Sequence, residues 1–274
     1  MNSSLNITAD KPSFIFQLTS KLLVATVWSS AMLFGLYILA FYFIALIQGN
    51  TTQWNEILPG LYDEQTRGAT AGIGLHFAAG GIILILGCIQ LLDGIRTKYP
   101  VFHRWVGRVY VVASIITALG GLAFIFLKGT IGGLWMNVAF TGYGVLTFLA
   151  GVFAIKYARS GDFEKHRVWA IRLFALAIGS WLYRMEYGFW FLIMDRAGHA
   201  SDFTGPFDYF MDFFFYIPNL LIAQLFISRK KLIQNRYVEG MAVIVLLSVT
   251  MFLVLATYFF TKKYWGPAIL EVFI

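Results

Sequence analysis

Seven stretches of the chain stay apolar over about 20 residues or more, the length a helix needs to cross the hydrocarbon core of a bilayer. They cover residues 20–48, 71–92, 105–127, 134–157, 168–194, 209–228 and 240–261. The pattern predicts an all-α fold, a polytopic transmembrane helical bundle of seven spans forming a single domain over residues 1–274. The links between runs are short, and no low-complexity segment divides them. The fifth run is over-long, and its end, "RMEYGFWFLIMDR", is expected to bend or to lie at the interface. Pro218-Asn219 predicts a kink in the sixth, because proline lacks the N–H that a helix interior uses. The first run is too long for the core of a signal peptide and lacks an A-x-A end, so it reads as a first span.

Polar positions orient these spans. Arg96, Lys98, Arg104 and Arg108 follow span two, Lys156, Arg159, Lys165, Arg167 and Arg172 follow span four, and Arg229, Lys230, Lys231 and Arg236 follow span six. With Lys11 and Lys21 these make 15 of the 21 basic residues on one side, while nine of the 14 acids fall on the other. The positive-inside rule then puts the N-terminus inside and the C-terminus outside. That orientation is opposite to a G-protein-coupled receptor, and residues 240–261 contain no lysine to carry retinal.

Composition agrees: 59% of residues are hydrophobic and 13% charged, against roughly 25% charged in soluble domains. The +7 net charge follows the membrane side, so no nucleic-acid partner is expected. One cysteine, Cys88, excludes an internal disulfide and Cys-rich metal centres. No phosphate loop, nucleophile elbow, H-E-x-x-H or C-x-x-C motif occurs.

Residues 71–127 and 134–194 share a plan: a Gly-rich helix running inward, a basic turn, His-Arg, and a helix running outward. "IRTKYPVFHRWVGRVYVV" parallels "IKYARSGDFEKHRVWAIRLFAL". Two like-oriented hairpins predict a four-helix core from spans two to five. Convergence of two basic turns under the positive-inside rule accounts for the likeness equally well.

Two clusters could carry chemistry. On the inner side, His103 and His166 stand at matching depth, with Arg104, Arg108 and Arg172 nearby and Gln90 and Asp93 as partners for an arginine. Basic residues at inner helix ends commonly snorkel to lipid phosphates, which covers His103, Arg104 and Arg167. Arg108 and Arg172 lie about a turn deeper, where a charge costs roughly 2.5–3.5 kcal/mol at full depth and needs a partner or a task. Paired imidazoles could ligate haem b axially, with the arginines on its propionates. The same arginines could instead clamp a lipid phosphate, a quinone rim or another anionic small molecule. On the outer side, His76, about 9 Å into span two at 1.5 Å per residue, could join Asp212 in a metal site. Gln90, Tyr110, Arg184 and Asp208 are the further candidates for binding a ligand or relaying a proton. The plainer alternative is a neutral His76 bonded within the bundle and an Arg184–Asp212 ion pair. His199, in the acidic loop "DRAGHASDF", reads as solvated.

The order His76, Gln90, His103-Arg104-x-x-Gly107-Arg108-x-Tyr110, His166, Arg172 resembles that of a family of bacterial predicted membrane proteins of unknown function, over roughly residues 70 to 230. The resemblance implies a multi-pass bundle and draws attention to these positions; it implies no settled reaction. The leading expectation is a haem-associated or redox protein of the bacterial inner membrane. The alternatives are a carrier or binding protein for a lipid-like or anionic ligand, with His76 and Asp212 relaying protons, and a non-catalytic accessory subunit. A homo-oligomer or a larger membrane complex is compatible with each.

Overall fold

The computed structural model describes residues 13–57, 60–90, 92–228 and 236–273. Lys11 and Arg229 to Lys231, counted above for orientation, lie outside the described residues, as does the side chain of Asp93. Every regular element among the described residues is helical.

Helix α1 (Phe14–Ile38) starts at Ser13, whose hydroxyl accepts from the Phe16 N–H. It continues through a π-helical turn, Leu39–Phe43, into α2 (Ile44–Ile47). The short α3 (Trp54–Ile57) folds back so that the Trp54 indole N–H donates to the Tyr42 carbonyl at 3.0 Å. A π turn disturbs the regular carbonyl ladder, and this side chain serves one of the affected oxygens. Helix α4 (Arg67–Gln90) runs to the basic end, where α5 (Asp93–Lys98) turns the chain into α6 (Pro100–Leu127). Pro100 opens α6, where its missing N–H costs nothing. Helix α7 (Gly133–Arg159) returns, and Asp162 caps α8 (Phe163–Ala177). After Ile178 follow α9 (Gly179–Met194), α10 (Pro206–Phe214), α11 (Ile217–Ser228), α12 (Arg236–Phe260), a second π turn at Thr261–Trp265, and α13 (Gly266–Leu270).

Among the described residues six helices are long and apolar enough to cross a membrane: 14–47, 64–90, 100–127, 133–159, 206–228 and 236–270. The fifth run of the sequence reading departs from expectation. It forms α8 and α9, of 15 and 16 residues, broken at Ile178. The Tyr143 hydroxyl donates to the Leu176 carbonyl at 2.7 Å beside the break, and Gly179 fits under Phe215 and Tyr143. The kink at Pro218 is present: Phe215 and Tyr216 leave the helix, and the Asn219 amide donates to the Phe215 carbonyl at 2.7 Å.

Helix α4 packs along the length of α6; α6 packs on α7, α7 on α8, and α8 on α11 and α4. Helix α1 lies against α4 and α12. Small residues permit the tightest crossing. A Cβ on Gly72 would stand 2.8 Å from the Gly120 carbonyl oxygen, so α4 and α6 meet backbone to backbone, as membrane helices without a hydrophobic drive commonly do. The outward surface is apolar: Phe14, Phe126 and Leu134 are each more than 70% exposed. In water such a surface would be an aggregation hazard; against lipid it is the expected coat.

Candidate functional site

The His103-Arg104-x-x-Gly107-Arg108-x-Tyr110 run becomes two faces of α6. Positions 103, 107 and 110 lie on one stripe because 3.6 residues complete a turn. From Gly107 onward that stripe meets α4. Gly107 leaves room for Gln90, whose amide oxygen would be 2.9 Å from a Cβ there, and Tyr110 packs over Gly87. Three polar atoms on this seam are buried without a hydrogen-bond partner: His103 Nδ1, Gln90 Nε2 and the Tyr110 hydroxyl. Tyr110 is only 4% exposed, and its hydroxyl is within electrostatic reach of Cys88 and Tyr143. The His166 ring lies within reach of His103, and its Nδ1 is bonded to the Ala154 carbonyl at 2.9 Å. Buried polar groups are rarely left unpaired, so this seam needs an explanation that packing does not supply.

The arginines of the basic end do not close on the seam together. Arg104 is exposed, and Arg108, also exposed, stacks on Trp105 with 4.9 Å from guanidinium to ring centroid. Arg172 stacks on Trp169 at 4.7 Å and donates to the Gln224 amide oxygen at 2.9 Å. Neither Gln90 nor Asp93 is seen to pair an arginine: Gln90 faces Gly107, and the Asp93 side chain is undescribed.

Farther along, His76 Nδ1 is bonded to the Thr117 carbonyl at 2.9 Å, where Gly121 gives α4 access to α6. The plainer reading of His76 as a residue bonded within the bundle therefore describes its contact. Arg184 lies over the Phe34 ring at 5.2 Å and donates to the Ser180 carbonyl at 3.1 Å. It is within electrostatic reach of His76, Tyr37, Tyr42, Tyr143 and Tyr183. The expected Arg184–Asp212 ion pair is not formed, because the guanidinium is taken by its own helix and by α1.

The two aspartates of α10 differ sharply. Asp208 is fully buried and accepts four bonds: from the Tyr187 hydroxyl at 2.7 Å, His199 Nδ1 at 2.7 Å, and the Ala200 and Gly205 N–H groups at 2.9 Å each. His199 is thus not solvated; its side chain is 10% exposed and helps hold the loop between α9 and α10 onto the bundle. A carboxylate accepts only, so Nδ1 carries the proton in this bond. Asp212, one turn on, is equally buried, and neither of its oxygens has a partner. Glu186 Oε2 is likewise unpartnered, and Tyr183, its ring 4.6 Å from that of Tyr187, is within electrostatic reach of Asp212. Among the described residues no group of three or more His, Cys, Asp or Glu is placed to hold a metal ion.

Sequence reasoning missed Tyr143, Tyr183, Tyr187 and Gln224. Tyrosines scattered in apolar runs look like packing until helices bring their hydroxyls together. Gln224, one of few amides in the sixth run, was the more readable signal.

Outside the spans, the Lys128 ammonium bonds Asp63 at 2.8 Å and holds its carboxyl below the usual range. This bond ties the loop after α3 to the end of α6.

No curated protein and no solved structure matches the chain. Residues 73–227, more than half of it, match the family described as "Predicted membrane protein (DUF2306)". That segment contains the unpartnered seam, Arg184 and both aspartates of α10. Helical throughout its described regular elements, largely apolar and in contact with the lipid bilayer, the chain belongs to the DUF2306 family of predicted membrane proteins.

Proposed function

We propose that the protein is a seven-span carrier, N-terminus inside, whose core is formed by the two hairpins of spans two to five and whose interior relays protons. In this arrangement α8 and α9 together make the fifth crossing. The carrying observation is Asp212: fully buried, within a helix long enough to span, and without a donor to either oxygen. An ionised carboxylate in an apolar site without partners is costly by several kcal/mol or more, so Asp212 holds a proton at rest. Ionisable groups at such depth commonly mark proton or ion pathways.

A series of protonatable groups supports the relay. Tyr110 lies within electrostatic reach of Tyr143, Tyr143 and Tyr183 both lie within reach of Arg184, and Tyr183 within reach of Asp212 and Asp208; His103 and His166 stand at the basic end. Arg184 supplies fixed positive charge in the middle, suited to an anionic ligand that moves with the proton. Proteoliposomes loaded with a pH-sensitive dye test this. The protein should dissipate an imposed pH gradient faster than empty vesicles, and Asp212→Asn should slow it at least about tenfold, the loss of about 1.4 kcal/mol of barrier lowering. Wild-type vesicles no faster than empty ones, or an Asp212→Asn variant as fast as wild type, would overturn the reading.

One observation favours a second reading. His166 is oriented through Nδ1 by a backbone carbonyl, which leaves Nε2 free as in many ligating histidines, and His103 is its neighbour. A haem b held there would supply one-electron transfer. Its redox difference spectrum should vanish in His166→Ala; colourless, folded protein from haem-replete cells removes this reading.

A further inference from the structure

Between α4 and α6, on the side away from the seam, runs a shallow groove of about 480 Å³. Its walls are Leu75 and Ile82 from α4 and Val109, Val112 and Ile116 from α6, with Ala78 and the buried Ala79 and Ala113 between them. Trp105 and Arg108 close it at the basic end. From Trp105 to Ile116 it follows α6 for about 16 Å, at 1.5 Å rise per residue. Almost all of its exposed lining is apolar, and its wall residues face outward from the bundle.

We propose that this groove binds one anionic phospholipid, its acyl chain along the apolar floor and its phosphate on Arg108. Three observations join here. The groove lies on the surface that faces the bilayer, so an acyl chain is the solvent already present. Its single charge is at one end, at the depth of an interfacial tryptophan, where a headgroup begins. Arg108 has no acidic partner among the described residues; it is held by the Trp105 ring, which positions its planar fork without using its N–H donors. Guanidinium matches phosphate oxygens bidentately, so a lipid with net negative charge completes what the ring leaves open. The groove is separate from the proton relay, and its occupancy is read without any measure of proton movement.

Native mass spectrometry of full-length protein from micelles containing equal dioleoylphosphatidylglycerol and dioleoylphosphatidylcholine tests the assignment. Wild type should retain one phosphatidylglycerol in preference to phosphatidylcholine. Arg108→Gln should lower that preference about fivefold, the equivalent of about 1 kcal/mol for one basic group at the surface. Arg104→Gln, one turn nearer the basic end and outside the groove, should change it little. Ala78→Leu should reduce retention of both lipids while leaving the mass of the assembly unchanged. Equal losses in the Arg104 and Arg108 variants would mean diffuse surface attraction and overturn the site. Unchanged lipid retention in Ala78→Leu, or a change of oligomeric state with that substitution, would overturn it in favour of packing by a second copy.

Discussion

Asp208 and Asp212 share a helix, a residue type and complete burial, yet replacing them by leucine should have opposite effects. Leucine has the same branched arrangement of side-chain heavy atoms but no hydrogen-bonding atoms, so it removes the polar contribution. At 208 it strands the Ala200 and Gly205 N–H groups, which are fixed by the backbone, together with the Tyr187 hydroxyl and His199 Nδ1. Each buried donor without an acceptor costs about 1–3 kcal/mol, and a buried charge network that loses one member typically costs about 3–5 kcal/mol. We expect a loss near that range. At about 2–4 °C per kcal/mol for chains of this size, the midpoint falls by about 10 °C. Asparagine at 208 should be milder. Turned over, its oxygen accepts from the two backbone N–H groups and its amide donates to Tyr187 and His199. At 212 leucine removes a carboxyl with no partner, so stability is unchanged or rises. Cys88 is buried and the only cysteine, so a thiol-reactive fluorophore reports unfolding in detergent during heating. If Asp208→Leu melts within about 2 °C of wild type, or Asp212→Leu is as damaging, the division between the two aspartates fails.

Other sites give sharp expectations. Gly72→Ala forces a Cβ against the Gly120 carbonyl and should cost about 1–3 kcal/mol by overpacking. Gly94→Ala in α5, with open space around it, should be neutral or slightly stabilising in the same melting assay. The Lys128–Asp63 bond depresses the aspartate below its unfolded value, so its contribution is complete at neutral pH and is lost as pH falls through the folded value, below about 4. The melting difference between wild type and Lys128→Gln should therefore be present at pH 7 and narrow on acidification below about pH 4. A difference that grows on acidification would contradict the sign. Trp54→Phe leaves the Tyr42 carbonyl at the π turn without its donor and should lower stability by about 1–3 kcal/mol.

What the sequence revealed depended on the range of the physics involved. Apolar runs are local, and six of the seven appear as long helices. The fifth could not be read fully because its break at Ile178 lies where Tyr143 bonds Leu176, 33 residues downstream of it, and where Phe215, just past α10, packs on Gly179. The site residues show the same division. His103, Gln90, Tyr110 and Asp212 were legible as polar groups out of place in apolar helices. Their partners, or lack of them, were not, because hydrogen bonding across helices is set by crossing geometry. His199 was misread for that reason: an acidic loop suggests solvent until Asp208 draws its imidazole inward.

The His-Arg-x-x-Gly-Arg-x-Tyr run shows how one helix can serve two surroundings. Its spacing puts His103, Gly107 and Tyr110 on one stripe, of which Gly107 and Tyr110 meet α4; Gly107 admits the Gln90 amide, and His103, Gln90 and Tyr110 each keep one polar atom unpaired. The intervening Arg104, Trp105 and Arg108 turn outward, where the guanidinium of Arg108 rests on an indole at the end of an apolar groove. The depth of Arg108 first suggested that it belonged with the histidines; in the structure a tryptophan three residues earlier holds it instead. The two faces can thus be separated by substitution. Changes at 107 or 110 should act on the interior and leave lipid preference intact, whereas changes at 105 or 108 should alter lipid preference and leave the seam closed. Were Tyr110→Phe to change lipid retention as much as Arg108→Gln, the faces would be coupled through α6, and the motif would be one site rather than two.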